Sequence, residues 1–240
     1  MHLFYVSLFW ASLILLPLGQ CYTWYKGEQR LTEFQTKYAN SKSDIFFLID
    51  NSGSLWNHNT GRNGFYDEKA FVSSVLSKIK IAKAATRVAI IRFGNDATID
   101  INYVTNLNGL NNKCEFNKAF SQVGYTGVMT NMRGAFLRVK EILFGTHSAN
   151  VRPWRDFGKS NNVNKVTFLL TDGRWNDGGN PDDQIQFLKT EHVEIFTIGV
   201  TNVDQNFLER VATSSDRYFY YNEFKDFREL ATHIRGGKVK

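Results

Sequence analysis

Segments that are apolar along their whole length alternate with segments of helical periodicity through most of this chain. The apolar segments include 45–50, 87–93, 166–171 and 193–200. A strand that is apolar on both faces has to be buried on both faces, and this is typical of parallel sheets covered by helices. The alternation therefore predicts an α/β fold with a doubly wound, mostly parallel sheet and helices on both faces.

The predicted sheet has six strands. They are 45–50, 87–93, 97–104, 166–171, 193–200 and 217–221. Only the tight-turn sequence Gly94–Asp96 separates the second strand from the third, so this pair is expected to be antiparallel, with the third strand at an edge. The alternation is continuous, which predicts a single domain over 44–236 and a short tail at 237–240.

The N-terminal segment has a different composition. Residues 3–18 are almost wholly apolar and are followed by Gly19, Gln20 and Cys21. This run is too short to span a bilayer comfortably and fits a signal peptide over 1–21, although the few positive charges leave an uncleaved anchor as the alternative. Residues 22–43 are then a lead-in segment with a short helix, and the protein is expected to be secreted into the extracellular matrix.

The chain has two cysteines. Cleavage after Cys21 leaves Cys114 alone, which excludes an intrachain disulfide. A single thiol in a secreted protein is either buried or paired with another chain. Burial is favoured here because Cys114 lies on a predicted helix together with Phe116 and Phe120.

Three polar loops leave the carboxyl ends of the predicted strands or open a helix beside them. They are Asp50-Asn51-Ser52-Gly53-Ser54, "GYTGVMTN" at 124–131, and "LLTDGRWND", in which Asp172 ends a strand. Doubly wound sheets bind ligands at these ends. Read alone, each loop is also an ordinary turn or helix cap.

The side chains of these loops are suited to a hard divalent cation. Two carboxylates brought together without a counter-ion repel each other, and a bound cation removes that repulsion. Carboxylate and hydroxyl oxygens suit Mg²⁺, with Ca²⁺ and Mn²⁺ as alternatives, and the loops contain no imidazole or thiolate that would favour zinc or copper.

These motifs resemble the metal-ion-dependent adhesion site of von Willebrand factor type A domains. The resemblance rests on Asp-x-Ser-x-Ser after the first strand, a Thr before a central helix and Thr-Asp-Gly after the fourth strand, and it covers about 44–234. The segments "TRVAIIRFG" and "VEIFTIGV" occur in the expected order. The resemblance implies a Rossmann-like fold and an ion whose coordination a partner's acidic side chain completes.

Five residues match the metal-binding positions of that family. They are Asp50, Ser52, Ser54, Thr130 and Asp172. The resemblance implies that the serines bind the ion directly, and that the threonine and the aspartates bind it directly or through water.

The sequence departs from the family at two places. The frequent Gly-Gly-Thr-x-Thr is replaced by Val128-Met129-Thr130-Asn131-Met132, and the bulk of Val128 and Met129 is expected to alter how this loop moves. The resemblance also implies a cysteine partner for Cys114 near the last strand, where this chain has 218–221, Tyr-Phe-Tyr-Tyr. That bridge is therefore expected to be absent.

The predicted function is adhesion without catalysis, since no Gly-x-Ser-x-Gly nucleophile motif is present. The expected partner is an extracellular matrix or cell-surface protein, collagen among the candidates, that supplies a Glu or Asp. Arg152, Trp154 and Arg155 form a candidate partner-binding loop, and a solvated surface loop is the alternative.

Two further interpretations stay open at this point. The net charge of +6 and pI ≈ 9.2 fit either a solvated basic surface or affinity for an acidic polysaccharide, and no nucleic-acid module is visible. The other functional hypothesis is a matrix component that self-associates, in which the metal only stabilises the fold.

Overall fold

The computed structural model describes residues 18–57, 61–82, 84–101, 112–144 and 163–236, with side chains from Lys26 onwards. The helices are α1 (Leu18–Tyr38), α2 (Gly64–Val75), α3 (Lys113–Ser121), α4 (Met132–Phe144), α5 (Asp182–Thr190), α6 (Gln205–Val211) and α7 (Phe224–Ile234). The strands are β1 (Ser43–Asp50), β2 (Trp56–Asn57), β3 (Arg62–Asn63), β4 (Thr86–Phe93), β5 (Ala97–Ile101), β6 (Asn164–Thr171), β7 (Glu194–Val200) and β8 (Tyr218–Tyr221).

Six strands form one sheet in the order β5-β4-β1-β6-β7-β8. All neighbours are parallel except β4 and β5, which pair antiparallel at the edge. The sheet predicted from the sequence is therefore confirmed. The sequence did not predict the two-stranded β2-β3 hairpin that follows the first polar loop.

Strand β1 occupies the centre of the sheet, and all eight of its residues are buried. Its side chains alternate between two apolar cores, one on each face of the sheet. On one face the rings of Phe47, Phe168 and Phe196 form a continuous stack, with centroids 5.0 and 4.7 Å apart. On the other face Phe46 and Leu48 pack with Phe136 of α4.

Helix α1 covers the aromatic stack. Its buried large apolar residues are Leu31, Phe34 and Tyr38, and they lie in the lead-in segment in which the sequence predicts a short helix. The ring of Phe34 meets those of Phe168 and Phe196 edge-on, at 5.0 and 5.4 Å. The lead-in segment is thus part of the packed domain. The predicted signal segment 1–21 lies almost entirely outside the described residues and stays a prediction.

The expectation that Cys114 is buried is wrong, because its side chain is exposed. In α3, Phe116 and Phe120 face the core one turn apart. Cys114 precedes Phe116 by two positions, which places it roughly 200° around the helix axis, on the solvent side. Within the described part of the chain no helix is long and apolar enough to cross a membrane.

Phe34→Ala is expected to lower the free energy of unfolding by about 3 kcal/mol, because it leaves a cavity over the stacked rings. The measurement is urea denaturation followed by circular dichroism. Thr32→Ala, an exposed position on the same helix, is the matched control and is expected to change stability little. Equal stability of the two variants would show that α1 is not part of the folding unit.

Candidate metal centre

The first polar loop begins with Asp50, the last residue of β1. Its side chain is fully buried, and Oδ1 accepts the backbone N–H of Ser52 at 2.8 Å while Oδ2 accepts the hydroxyl of Thr171. The hydroxyl oxygens of Ser52 and Ser54 lie 2.9 Å apart. The alternate side chains of this loop therefore converge on one point at the end of the strand.

The third loop reaches the same point because β1 and β6 are parallel neighbours. Their register pairs Ile49 with Leu170, so that both strands end at the same level. Asp172 follows directly, and its Oδ1 accepts the hydroxyl of Ser54 at 2.7 Å. The structure thus brings the side chains of the first and third loops into direct contact.

The second loop docks on the first through the backbone. Gly53 donates to the carbonyl of Val128 at 2.9 Å, and Val128 donates to the carbonyl of Asn51 at 3.2 Å. Thr130, two residues further on, is buried. Its backbone is held by Asn176 of the third loop, whose side-chain oxygen accepts the Thr130 N–H at 2.8 Å and whose own N–H donates to the Thr130 carbonyl at 3.2 Å. Thr130 is therefore fixed between the other two loops.

Three asparagine side chains hold the backbone of the second loop. Asn51 accepts from Thr126 N–H at 2.9 Å, Asn95 from Met129 N–H at 2.9 Å, and Asn176 from Thr130 N–H at 2.8 Å. Each asparagine comes from a different loop. None of the three contacts was predicted from the sequence, since an asparagine in a polar loop leaves the same sequence pattern whether it faces solvent or the backbone of another loop.

Val128 is accommodated because residue 94 is a glycine. A Cβ atom at Gly94 would lie 2.2 Å from Cγ2 of Val128. The bulk at Val128, which departs from the family pattern, therefore packs against the turn between β4 and β5. Met129 is exposed instead, at 50% of its surface.

A third carboxylate lies at the base of the site, and the sequence analysis missed it. Glu68 of α2 is fully buried, and its Oε2 accepts the backbone N–H of Asp50 at 3.0 Å. Its Oε1 has no hydrogen-bond partner among the described residues. A sequence signal was available, since Glu68 lies at helical spacing from the apolar residues Phe65, Phe71 and Val72.

Burial raises the pKa of all three carboxyl groups, and repulsion by a neighbouring carboxylate adds to it at Asp172 and Glu68. Burial is the larger cause at each, and the charge of Asp50 adds to it at Asp172, whose pKa rises to about 7. The charges of Asp50 and Asp172 also raise the pKa of Glu68. Among the described residues no lysine, arginine or histidine forms an ion pair with any of the three, so ionisation of these groups produces negative charge that no basic side chain compensates.

These residues fit a hard divalent cation. The donors are carboxylate and hydroxyl oxygens, and buried carboxylates without a basic partner are stabilised by a cation. Within the described ranges no three His, Cys, Asp or Glu side chains are close enough to hold one ion. Hydroxyls are the other oxygen donors available here: those of Ser52 and Ser54 lie beside Asp172, and the buried Thr130 lies in the loop docked on them. The candidate partner-binding residues Arg152, Trp154 and Arg155 lie outside the described residues.

Comparisons with known proteins agree with this geometry. The family model of the von Willebrand factor type A domain matches residues 44–233. The mouse sushi, von Willebrand factor type A, EGF and pentraxin domain-containing protein 1 is 30% identical over 193 residues, which is 78% of this chain and 5% of that protein. The transmembrane cell adhesion receptor mua-3 of Caenorhabditis elegans is 29% identical over 209 residues, 86% of this chain and 5% of the receptor.

Among solved structures, proximal thread matrix protein 1 from the mussel byssus has the same fold. It superposes with a TM-score of 0.67 at 22% identity, over 82% of this chain and 46% of the mussel chain. A further structure of the mussel protein has a zinc-occupied metal-ion-dependent adhesion site. This chain therefore spans less than half of each of these three proteins.

Asp172→Asn is expected to stabilise the metal-free protein by about 2 kcal/mol at pH 8, because at that pH, above its raised pKa of about 7, the buried Asp172 carboxylate is mostly charged. The asparagine Oδ1 still accepts from Ser54. In excess Mg²⁺ the order is expected to reverse, since the wild type gains stability from binding and the variant has lost a charged ligand. Urea denaturation with EDTA and with Mg²⁺ measures both effects.

The matched control for that experiment is Asp183→Asn, an exposed aspartate on α5. Its effect should stay within about 0.5 kcal/mol under either condition. If Asp172→Asn destabilised the protein in EDTA, repulsion between the carboxylates would not be what limits the stability of the metal-free site.

Asn176→Ala is expected to weaken Mg²⁺ binding about ten- to a hundredfold, because it releases the backbone of Thr130 without touching a ligand atom. Isothermal titration calorimetry gives the dissociation constant. Asn206→Ala, an exposed asparagine on α6, is the control and should bind like the wild type. Unchanged affinity in Asn176→Ala would mean that the loop is held well enough by Asn51 and Asn95.

Proposed function

Because the chain belongs to the von Willebrand factor type A domain family, we propose that it is a secreted adhesion or matrix protein that binds a protein partner through a divalent cation. The ligand set is Asp50, Ser52, Ser54, Thr130 and Asp172. One observation carries the proposal: buried Asp50 and Asp172, with no basic partner among the described residues, meet through Ser52 and Ser54 at the carboxyl edge of the sheet.

The five proposed ligands have two different roles. Asp50 and Asp172 attract the cation, and the three hydroxyls complete the protein side of the shell without adding charge. A bound cation supplies an electrophilic position for a carboxylate oxygen of the partner. Since only two of these five ligands are anionic, a Glu or Asp on the partner is the complementary group.

The exposed surface near these loops suits a protein partner. Trp56 follows the first loop and Met129 lies in the second, and they are exposed by 41% and 50%. Aromatic and methionine side chains are enriched in the centres of protein interfaces. Support also comes from the relatives, since the Caenorhabditis elegans protein is a cell adhesion receptor by name and the mussel protein a matrix protein.

We include Zn²⁺ with Mg²⁺, Ca²⁺ and Mn²⁺ as a candidate ion. The absence of imidazole and thiolate argued against zinc, but the mussel structure has zinc at its corresponding motif. The order of affinities is measured by titrating each ion into metal-free protein.

Binding of the full chain to purified matrix proteins, collagen among them, is expected to require the cation. Interferometry in Mg²⁺ and in EDTA measures this, with circular dichroism showing that the fold persists in EDTA. Thr130→Ala should lose binding, because it removes a buried ligand hydroxyl. Thr232→Ala, an exposed threonine of α7, should bind normally.

The same experiment separates cation-dependent adhesion from the alternative, a self-associating matrix component in which the metal only stabilises the fold. If EDTA lowers only the melting temperature while partner binding or self-association persists, the metal stabilises the fold and does not bridge to a ligand. Sedimentation equilibrium with and without EDTA detects that self-association.

A further inference from the structure

A cavity separate from the metal centre lies on one face of the domain, between α2 and α3. Its volume is about 610 Å³, and it is open to solvent. The lining residues are Tyr66, Lys69, Ala70, Ser73, Ser77, Lys113, Asn117, Phe120, Ser121 and Arg235. We call this cavity the α2–α3 groove. It shares no residue with the proposed metal ligands.

The groove is basic. Its three charged residues, Lys69, Lys113 and Arg235, are all cations, and no carboxylate lines it. None of them forms an ion pair with an acidic side chain among the residues that the structure describes. Asp100 acts electrostatically on Lys69, but it is paired with Arg92 at 3.0 Å. The positive charge of the groove is therefore available to an anion.

Two of the cations are held in fixed positions. Lys69 donates to the carbonyls of Ser121 and Val123, and Lys113 donates to those of Leu76 and Ser77. Each ammonium has three donors, so each lysine has one N–H beyond these two bonds, and the Lys69 ammonium also lies 5.1 Å from the centroid of the Phe120 ring. An anion that binds there does not have to immobilise two flexible side chains, which removes part of the entropic cost of binding.

Capping of helix ends explains these lysines only in part. Lys113 satisfies carbonyls at the end of α2, as basic residues often do. Capping does not require a third cation, Arg235, on the same groove, or the absence of acidic residues from its lining. Burial also lowers the pKa of Lys69 and Lys113, which means that the charged forms lack full solvation and gain from an anionic neighbour.

The neutral lining residues can form hydrogen bonds with a carbohydrate. Lys113, Asn117 and Ser121 are spaced four residues apart on α3 and span about 12 Å along its axis. Ser73 and Ser77 face them from α2 and the turn that follows it. Hydroxyl and amide groups bind sugar hydroxyls, and Tyr66, exposed by 58%, offers an aromatic face at one end.

We propose that the α2–α3 groove binds a sulfated polysaccharide, independently of the metal centre. Lys69, Lys113 and Arg235 bind sulfate groups, and Ser73, Ser77 and Asn117 bind the sugar hydroxyls. An acidic peptide fits less well, because its affinity would depend on apolar anchors and the lining offers only Ala70 and Phe120 beside Tyr66.

The test measures binding of a heparin-derived oligosaccharide of defined length to the full chain, in EDTA, by calorimetry at increasing salt. Binding is expected in EDTA and should weaken as salt rises. Lys113→Gln combined with Arg235→Gln is expected to weaken it by about tenfold, because two surface charge contacts are lost.

Lys118→Gln combined with Lys80→Gln is the matched control. Both lysines are exposed and neither lines the groove, and this double variant removes two positive charges, as Lys113→Gln with Arg235→Gln does. It should alter affinity by less than about twofold. An equal loss in the two double variants would overturn the proposal, because binding would then follow net charge only.

Two further measurements test the position of the binding site and the requirement for sulfate. Ser73→Glu places a negative charge in the groove while leaving all cations in place, and it should abolish binding; full binding by this variant would overturn the proposal. A hyaluronan oligosaccharide, which has carboxylates but no sulfates, should bind more weakly than heparin, and tighter binding would contradict recognition of sulfate. Because all arms are run in EDTA, their failure leaves the proposed metal-dependent adhesion untouched.

Discussion

The parallel pairing of β1 with β6 is the interaction on which the rest of the site depends. Seven consecutive residues pair without a slip, from Ser43 with Asn164 to Ile49 with Leu170. This register brings Thr171 to the carboxylate of Asp50 and places Asp172 one residue beyond it. A shift by one residue would turn the neighbouring side chains to the opposite face of the sheet and separate the two aspartates. The apolar stack of Phe47, Phe168 and Phe196 opposes such a shift.

The two ends of β1 show that the uncompensated charge is local to the site. At the start of the strand Asp44 is also buried, but Arg87 of β4 donates to it twice, at 2.6 Å through Nε and again through its terminal nitrogen. At the other end Asp50 has only neutral donors, and Glu68 and Asp172 lie nearby. One strand thus carries a buried aspartate with a built-in cation and a buried aspartate without one. Proteins retain such a destabilising arrangement where a ligand completes it.

The fold could be predicted from the sequence, and the five ligands could be proposed from it, because each leaves a local sequence pattern. Apolar strands mark the sheet, and Asp-x-Ser-x-Ser marks a loop at its edge. The supporting residues leave no such signal. Asn51, Asn95 and Asn176 act through the backbone of another loop, so their role depends on tertiary contacts. Cys114 was predicted to be buried because Phe116 and Phe120 lie near it in the sequence. Its exposure is decided instead by its position around the helix axis, on the side opposite these two residues.

Helix α2 separates the two proposed binding sites within one turn. Glu68 points inward and accepts from Asp50, while the next residue, Lys69, lines the α2–α3 groove on the outside. A ligand at one site changes affinity at the other only if it shifts an element that has two positions. Helix α2 is held by the stacked rings of Phe71 and Phe227, 4.9 Å apart, and by the ion pair of Asp67 with Arg228 at 2.8 Å. These contacts hold α2 in one position, and we therefore expect a polysaccharide in the proposed groove to leave the affinity of the proposed metal centre for a protein partner unchanged.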